Sequence, residues 1–139
     1  PLFEAYENRR LLVTGTTGFL GKVLLEKLLY TLPTVKCIYV LIRAKKGSKL
    51  NERFNDKFSK VLLRQARERH GYNFDKFIEE KVRPMYTHML PQKGDLLKEG
   101  LGLSVADLKE LSENCEIIMN CAASIDFNAR LDDAININI

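Results

Sequence analysis

The stretch Arg10-Leu11-Leu12-Val13-Thr14-Gly15-Thr16-Thr17-Gly18-Phe19-Leu20-Gly21 decides the fold, because its apolar pattern changes period at the first glycine. Arg10 to Thr14 is a short, nearly continuous apolar run, the mark of a buried strand. After Gly18 the apolar residues Phe19, Leu20, Val23, Leu24, Leu28 and Leu32 recur in steps of three and four until Pro33 stops them, which predicts a helix. A second strand follows in Lys36-Cys37-Ile38-Tyr39-Val40-Leu41-Ile42, apolar throughout as in a strand covered on both faces. The chain therefore opens strand, helix, strand.

Further along, the pattern predicts a long helix over about 50–69, a break at Gly71 and a short helix around Phe74 to Glu80. Val82 to Met89 reads as a third strand, weakened by Pro84, which is expected to mark its start. Gly94-Asp95-Leu96 reads as a loop, and Ser104 with Asp107 three positions on reads as the capped start of another helix. Cys115 to Asn120 is a fourth apolar strand and Ala129 to Ile137 a last helix. Four strands separated by helical crossovers imply an α/β, doubly wound parallel sheet of Rossmann type, with residues 1–139 forming part of one NAD(P)-binding domain.

In such a sheet a ligand sits beyond the carboxyl ends of the strands. After the first strand, Gly15 would let the chain turn, Gly18 would let the backbone approach a pyrophosphate at the helix N-terminus, and Gly21 would allow helix and strand to pack closely. The bland alternative is a glycine-rich start of a helix with no ligand. The second strand ends in Ile42-Arg43, where a site choosing NAD places an acid for the ribose 2′-hydroxyl. Arg43, followed by Lys45 and Lys46, can instead fork a 2′-phosphate, which favours NADPH over NADH; the alternative is a solvated basic turn. Asp95 is placed to accept from the adenine amino group or merely to begin a turn. Asn120-Cys121-Ala122-Ala123-Ser124 presents small residues where a nicotinamide ribose passes close to backbone.

Composition sets limits on the alternatives. A net charge of +4 from 22 Lys+Arg and 18 Asp+Glu favours anionic small molecules without the dense basic footprint of a nucleic-acid binder, so no nucleic acid is expected as a partner. Apolar runs such as Ile38 to Ile42 fall far below the roughly 18 residues of a membrane span. Three cysteines, Cys37, Cys115 and Cys121, lack a C-x-x-C spacing, and His70 and His88 lack a paired metal-ligand spacing, so neither a disulfide framework nor a metal site is expected. Arg53, Lys57, Lys60, Arg64 and Arg67 fall on one helix face, read as a solvated face or as a surface for CoA phosphates or an anionic membrane. A nucleophilic role for Cys121 is disfavoured, since no His or Lys stands beside it in sequence.

Thr14-Gly15-Thr16-Thr17-Gly18-Phe19-Leu20-Gly21-Lys22, Tyr39-Val40-Leu41-Ile42-Arg43, Gly94-Asp95-Leu96 with Leu101-Gly102-Leu103-Ser104, and Ala122-Ala123-Ser124-Ile125-Asp126-Phe127 together resemble the N-terminal part of the fatty acyl-CoA reductases, of the extended short-chain dehydrogenase/reductase group. The resemblance implies reduction of long-chain fatty acyl-CoA with NADPH, commonly to the primary alcohol, at peroxisomal or endoplasmic-reticulum membranes. It implies that Gly15, Thr16, Thr17, Gly18, Phe19, Leu20 and Gly21 belong to the pyrophosphate loop, with Arg43 at the 2′-phosphate, Asp95 at the adenine, and Ala122 and Ala123 at the ribose. It also places Asn138 near the active site. The family's catalytic Tyr-x-x-x-Lys pair does not occur after the fourth strand, and the chain lacks an initiating Met. The expectation is therefore an incomplete portion of a longer enzyme, inactive alone, with catalytic and membrane-associating parts beyond Ile139. A thioester reductase domain acting on carrier-bound acyl groups and a non-catalytic NADP-binding module are the alternatives.

Overall fold

The computed structural model describes residues 2–43, 63–87 and 99–138. Its strands are β1 (Arg10–Thr14), β2 (Cys37–Arg43), β3 (Val82–Thr87) and β4 (Ile117–Asn120). Its helices are α1 (Leu2–Tyr6), α2 (Phe19–Thr31), α3 (Arg64–His70), α4 (Phe74–Lys81), α5 (Val105–Asn114) and α6 (Leu131–Asn138). The strands form one sheet in the order β3-β2-β1-β4. Every pairing is parallel, with Leu11 opposite Ile38, Thr14 opposite Asn120 and Arg43 opposite Thr87. The chain order reverses between β1 and β4, which is the switch point of a doubly wound sheet.

Alternation along the strands builds two cores, because successive side chains point to opposite faces. Leu11, Val13, Ile38, Val40 and Ile42 meet Leu25, Leu28 and Leu29 of α2, Ala66 of α3, and Phe74 and Ile78 of α4. On the other face Leu12, Tyr39, Leu41 and Met85 pack with Leu111 of α5. The continuous burial of Ile38 to Ile42 follows, as a strand covered on both faces requires. Tyr39 donates to Glu110 at 3.2 Å, and Arg83 pairs with the same carboxylate at 2.7 Å, so α5 is tied to β2 and β3. Burial, with the thiol of Cys37 and the Glu110 carboxylate, pushes the Tyr39 hydroxyl up to about 12.

Several boundaries differ from the sequence expectation. The second strand runs on to include Arg43 itself. Pro84 lies inside β3 and does not begin it. A proline fits there because β3 pairs only with β2 among the described residues, and half the N–H groups of such an edge face away from the sheet. β4 begins at Ile117, since Cys115 ends α5 by donating its N–H to Leu111 at 2.8 Å. The last helix starts at Leu131, after a turn in which Ala129 donates to Asp126 at 3.1 Å. Ser104 caps α5 as expected: its hydroxyl oxygen accepts from the Asp107 N–H at 3.0 Å and its O–H donates to the Asp107 carboxylate at 2.8 Å. Of the long helix, residues 50–62 lie outside the described residues, as do Gly94, Asp95 and Leu96.

The β4 side is barely covered. Ile118 is 67% exposed and Leu131 76%, whereas Leu11 and Leu29 are fully buried. Replacing Leu29 by Ala is expected to cost about 2–5 kcal/mol, and replacing Ile118 by Ala within about 0.5 kcal/mol of nothing, in denaturant unfolding. Comparable losses at both would contradict this burial pattern. At the other end of β4, Glu116 accepts from Arg9 at 2.5 Å and from the Arg10 N–H at 3.1 Å. The bond from Arg9 chiefly holds its carboxyl below the usual 4.5. A lowered folded value means that the group contributes stability above pH 4.5 and loses it as pH falls through that value. The stability difference between the protein and Glu116→Gln should therefore shrink below pH 4.5, and a difference independent of pH would refute the assignment.

Candidate functional site

Four strand ends converge at the C-terminal edge of the sheet, and main-chain contact between them comes first. Gly15 has φ +68°, a conformation that favours glycine. A Cβ on it would also lie 2.6 Å from the Cys121 carbonyl and 2.7 Å from the Ala122 nitrogen. Gly15 therefore presses the loop after β1 directly against the backbone that leaves β4. Gly21, in the first turn of α2, is tighter still: a Cβ there would stand 2.2 Å from the Gly15 carbonyl oxygen. That oxygen also accepts from the Gly18 N–H at 2.9 Å. Gly18 itself is exposed, with extended backbone at φ −87° and ψ 174°.

Side chains brace the same edge. Thr14, 4% exposed, donates its hydroxyl to Asn120, which stands opposite it in register. The Ala122 N–H then donates to Thr14 Oγ1 at 3.3 Å and to Asn120 Oδ1 at 3.4 Å. Asn138, the last described residue of α6, accepts from the Ser124 N–H at 2.7 Å and donates to the Ser124 carbonyl at 3.1 Å. One carboxamide thus holds both backbone groups of Ser124 and fixes the path of residues 121–124 against α6. The sequence marked Asn138 only through resemblance. It passed over the Thr14–Asn120 pair, whose signal was a polar residue closing each of two apolar strands.

The loop fits an anion on three observations. Thr16 is fully buried, and its hydroxyl finds no partner among the described residues. Gly18 caps α2 without a side-chain bond, so the first N–H groups of a helix 13 residues long keep their partial positive charge for a ligand. The exposed side of Gly18 leaves the backbone open to approach. Phe19 and Leu20, 86% and 64% exposed, flank that opening. Arg43 is exposed at the end of β2, the strand next to β1; Ala122 is half-buried and Ala123 exposed at the end of β4. Asp95, Lys45 and Lys46 lie outside the described residues.

The other candidates behave differently. Cys121 contributes its main chain as the surface on which Gly15 rests, and its thiol has no side-chain partner among the described residues. Burial pushes the Cys37 and Cys115 thiols up, which disfavours the thiolate in both. Of the basic face, Arg53, Lys57 and Lys60 lie outside the described residues. Arg64 pairs with Glu68 at 2.8 Å, and Arg67 with Asp75 at 3.5 Å while stacking 4.2 Å from the Phe74 ring centroid. Among the described residues no three His, Cys, Asp or Glu side chains gather as a metal site.

Gly21→Ala should cost at least about 1–3 kcal/mol in thermal or denaturant unfolding although alanine is the better helix former, because helix and loop must separate to admit the methyl group. Gly18→Ala, with one contact at 3.3 Å, should cost less. A stabilised Gly21→Ala would show that the close seat of α2 on the loop is not required.

Comparison with known proteins agrees with this fold. A family model of NAD-binding domains, described as male sterility protein, matches residues 13–139. Fatty acyl-CoA reductase 2 of Mus musculus is 37% identical over 134 residues, which cover 96% of this chain and 24% of that protein. Fatty acyl-CoA reductase 1 of Homo sapiens is 38% identical over 136 residues, covering 98% of this chain and 24% of that protein. Among solved structures, the terminal R domain from the myxalamid PKS-NRPS biosynthetic pathway superposes with a TM-score of 0.64 at 27% identity, over 96% of this chain and 29% of that one. The reductase (R) domain of a nonribosomal peptide synthetase from Mycobacterium tuberculosis gives 0.60 at 27% identity, over 86% and 25%. The chain spans about a quarter of the length of the curated relatives it matches. With its parallel sheet, its glycine loop and a match that runs from Val13 near the end of β1 to Ile139, the chain belongs to the male sterility protein family of NAD-binding domains.

Proposed function

We propose that residues 1–139 are the cofactor-binding part of a longer NAD(P)-binding domain, in an enzyme that uses NADPH to reduce long-chain fatty acyl-CoA to the primary alcohol. The cofactor choice rests on one observation: β2 ends in an exposed arginine, Arg43, where an acid would select the 2′-hydroxyl of NADH. The substrate class rests on the curated relatives, which are fatty acyl-CoA reductases at 34–39% identity.

In this reading the loop of residues 15–21 and the N–H groups at the start of α2 hold the pyrophosphate. Arg43 forks the 2′-phosphate and Asp95 accepts from the adenine. Ala122 and Ala123 leave space for the ribose, and Asn138 keeps their loop in place through Ser124. Bound NADPH would supply hydride at the end of β4. Taking a thioester to a primary alcohol consumes two hydrides and two protons and releases the thiol of CoA. The family resemblance implies proton donation by a Tyr-x-x-x-Lys pair, which residues 121–139 do not contain. Peroxisomal or endoplasmic-reticulum membranes are proposed on the resemblance alone; no helix among the described residues is long and apolar enough to cross a membrane.

A second reading, a reductase of acyl groups held as thioesters on a carrier protein, is favoured by the solved neighbours, which are R domains of peptide-synthetase pathways. Turnover of the full-length protein on acyl-CoA against acyl-carrier protein separates the two.

Calorimetric titration should show NADPH bound roughly 10- to 100-fold more tightly than NADH, the worth of one charge-assisted pair. Arg43→Ala should remove most of that ratio by weakening NADPH alone. Equal affinity of the unaltered protein for both cofactors would sink the assignment of Arg43.

A further inference from the structure

The N-terminal ends of the strands, about 16 Å from the glycine loop along β1, carry a different feature. A cleft of about 520 Å³ opens there. Arg10, Lys36 and Lys81, which begin β1 or immediately precede β2 and β3, line it together with Asn8, Glu113 and Glu116. Glu116 takes Arg9 at 2.5 Å and the Arg10 N–H at 3.1 Å, and Glu113 takes Lys109 at 3.7 Å. Among the described residues no carboxylate forms an ion pair with Arg10, Lys36 or Lys81. The Lys81 ammonium donates to the Val35 carbonyl at 2.6 Å, a neutral partner that pins its position without cancelling its charge. Arg10 and Lys81 are half-buried, where screening by solvent is weaker than on an open surface.

We propose that this cleft binds a small soluble anion of the pyrophosphate or phosphate-monoester class, at a site separate from the glycine loop. Three cations against two carboxylates leave the cleft lining net positive, which matches an anionic ligand, and the Asn8 carboxamide adds a neutral donor. The volume lies in the range of small-molecule sites. The half-buried setting of Arg10 and Lys81 suits a ligand that enters the cleft better than a flat anionic lipid surface. An occupant would bridge the starts of β1, β2 and β3 and so stabilise the folded state.

The test is thermal unfolding of the protein with increasing sodium pyrophosphate, at an ionic strength held constant with sodium chloride. The midpoint should rise in the unaltered protein. Lys36→Glu reverses an exposed charge, and Asn8→Asp adds one at nearly constant shape; each should weaken the apparent affinity about fivefold or more. Asn8→Asp carries the test should Lys36→Glu not fold, since aspartate tolerates the left-handed backbone at residue 8, φ +56°. The proposal is overturned by an equal rise in the unaltered protein and in the folded cleft variants, which would put the pyrophosphate outside the cleft. It is also overturned if pyrophosphate has no effect, and binding of phosphatidylcholine vesicles containing phosphatidic acid through Lys36 would then assign the cations to a lipid surface. The failure of this site and that of the NADPH reading are distinguishable, because no cofactor enters the experiment.

Discussion

The C-terminal edge of this molecule depends on backbone touching backbone without side chains between. Gly21 rests on the carbonyl of Gly15, and Gly15 rests on the main chain of Cys121 and Ala122. These two contacts set the height of α2 above the sheet and the path of the chain leaving β4. A methyl group at either position would push apart the two elements that frame the proposed anion site, so the close approach and the open helix N-terminus depend on each other. The third glycine serves otherwise: Gly18 has ordinary extended backbone, and its lack of a side chain leaves the helix start exposed to solvent.

A second set of interactions stiffens what the glycines place. Thr14 and Asn120 close β1 and β4 at the same level, and the Ala122 N–H joins them. Asn138 then holds Ser124 by both backbone groups. Each step satisfies a polar group that would otherwise lie unpaired beside a tightly packed loop, at a cost of about 1–3 kcal/mol if it were buried. The Thr16 hydroxyl, fully buried without a partner among the described residues, is the exception in this loop. Unsatisfied groups of that kind persist where a ligand can complete them.

Most of the architecture was legible in the sequence because period and punctuation agree. The runs at 10–14 and 37–42 are apolar enough to be buried on both faces, and Gly15 and Pro33 bound the intervening helix. Ser104 announced α5 by its capping chemistry. Boundaries slipped where tertiary pairing overrides composition: register with Thr87 carries β2 through Arg43, and the sheet edge accepts Pro84 inside β3. The site divides along the same line. Glycine spacing is local and readable, whereas Thr14 with Asn120 and Ser124 with Asn138 join positions 106 and 14 residues apart. No local pattern encodes such a pairing. Asp95 was readable as a strand-end acid, but its position falls outside the described residues.

Affinity and selectivity for a dinucleotide would then have different physical origins. The loop offers main-chain N–H groups fixed by buried glycine contacts, so their alignment costs nothing further on binding and responds little to salt. Arg43 is exposed, and its attraction for a phosphate is screened over a Debye length of about 8 Å at physiological ionic strength. Raising the salt should therefore erode the preference for the phosphorylated cofactor sooner than it erodes binding of the dinucleotide itself. A preference that survived high salt unchanged would have to come from a less exposed group than Arg43, and among the strand ends described in this structure no other cation is so placed.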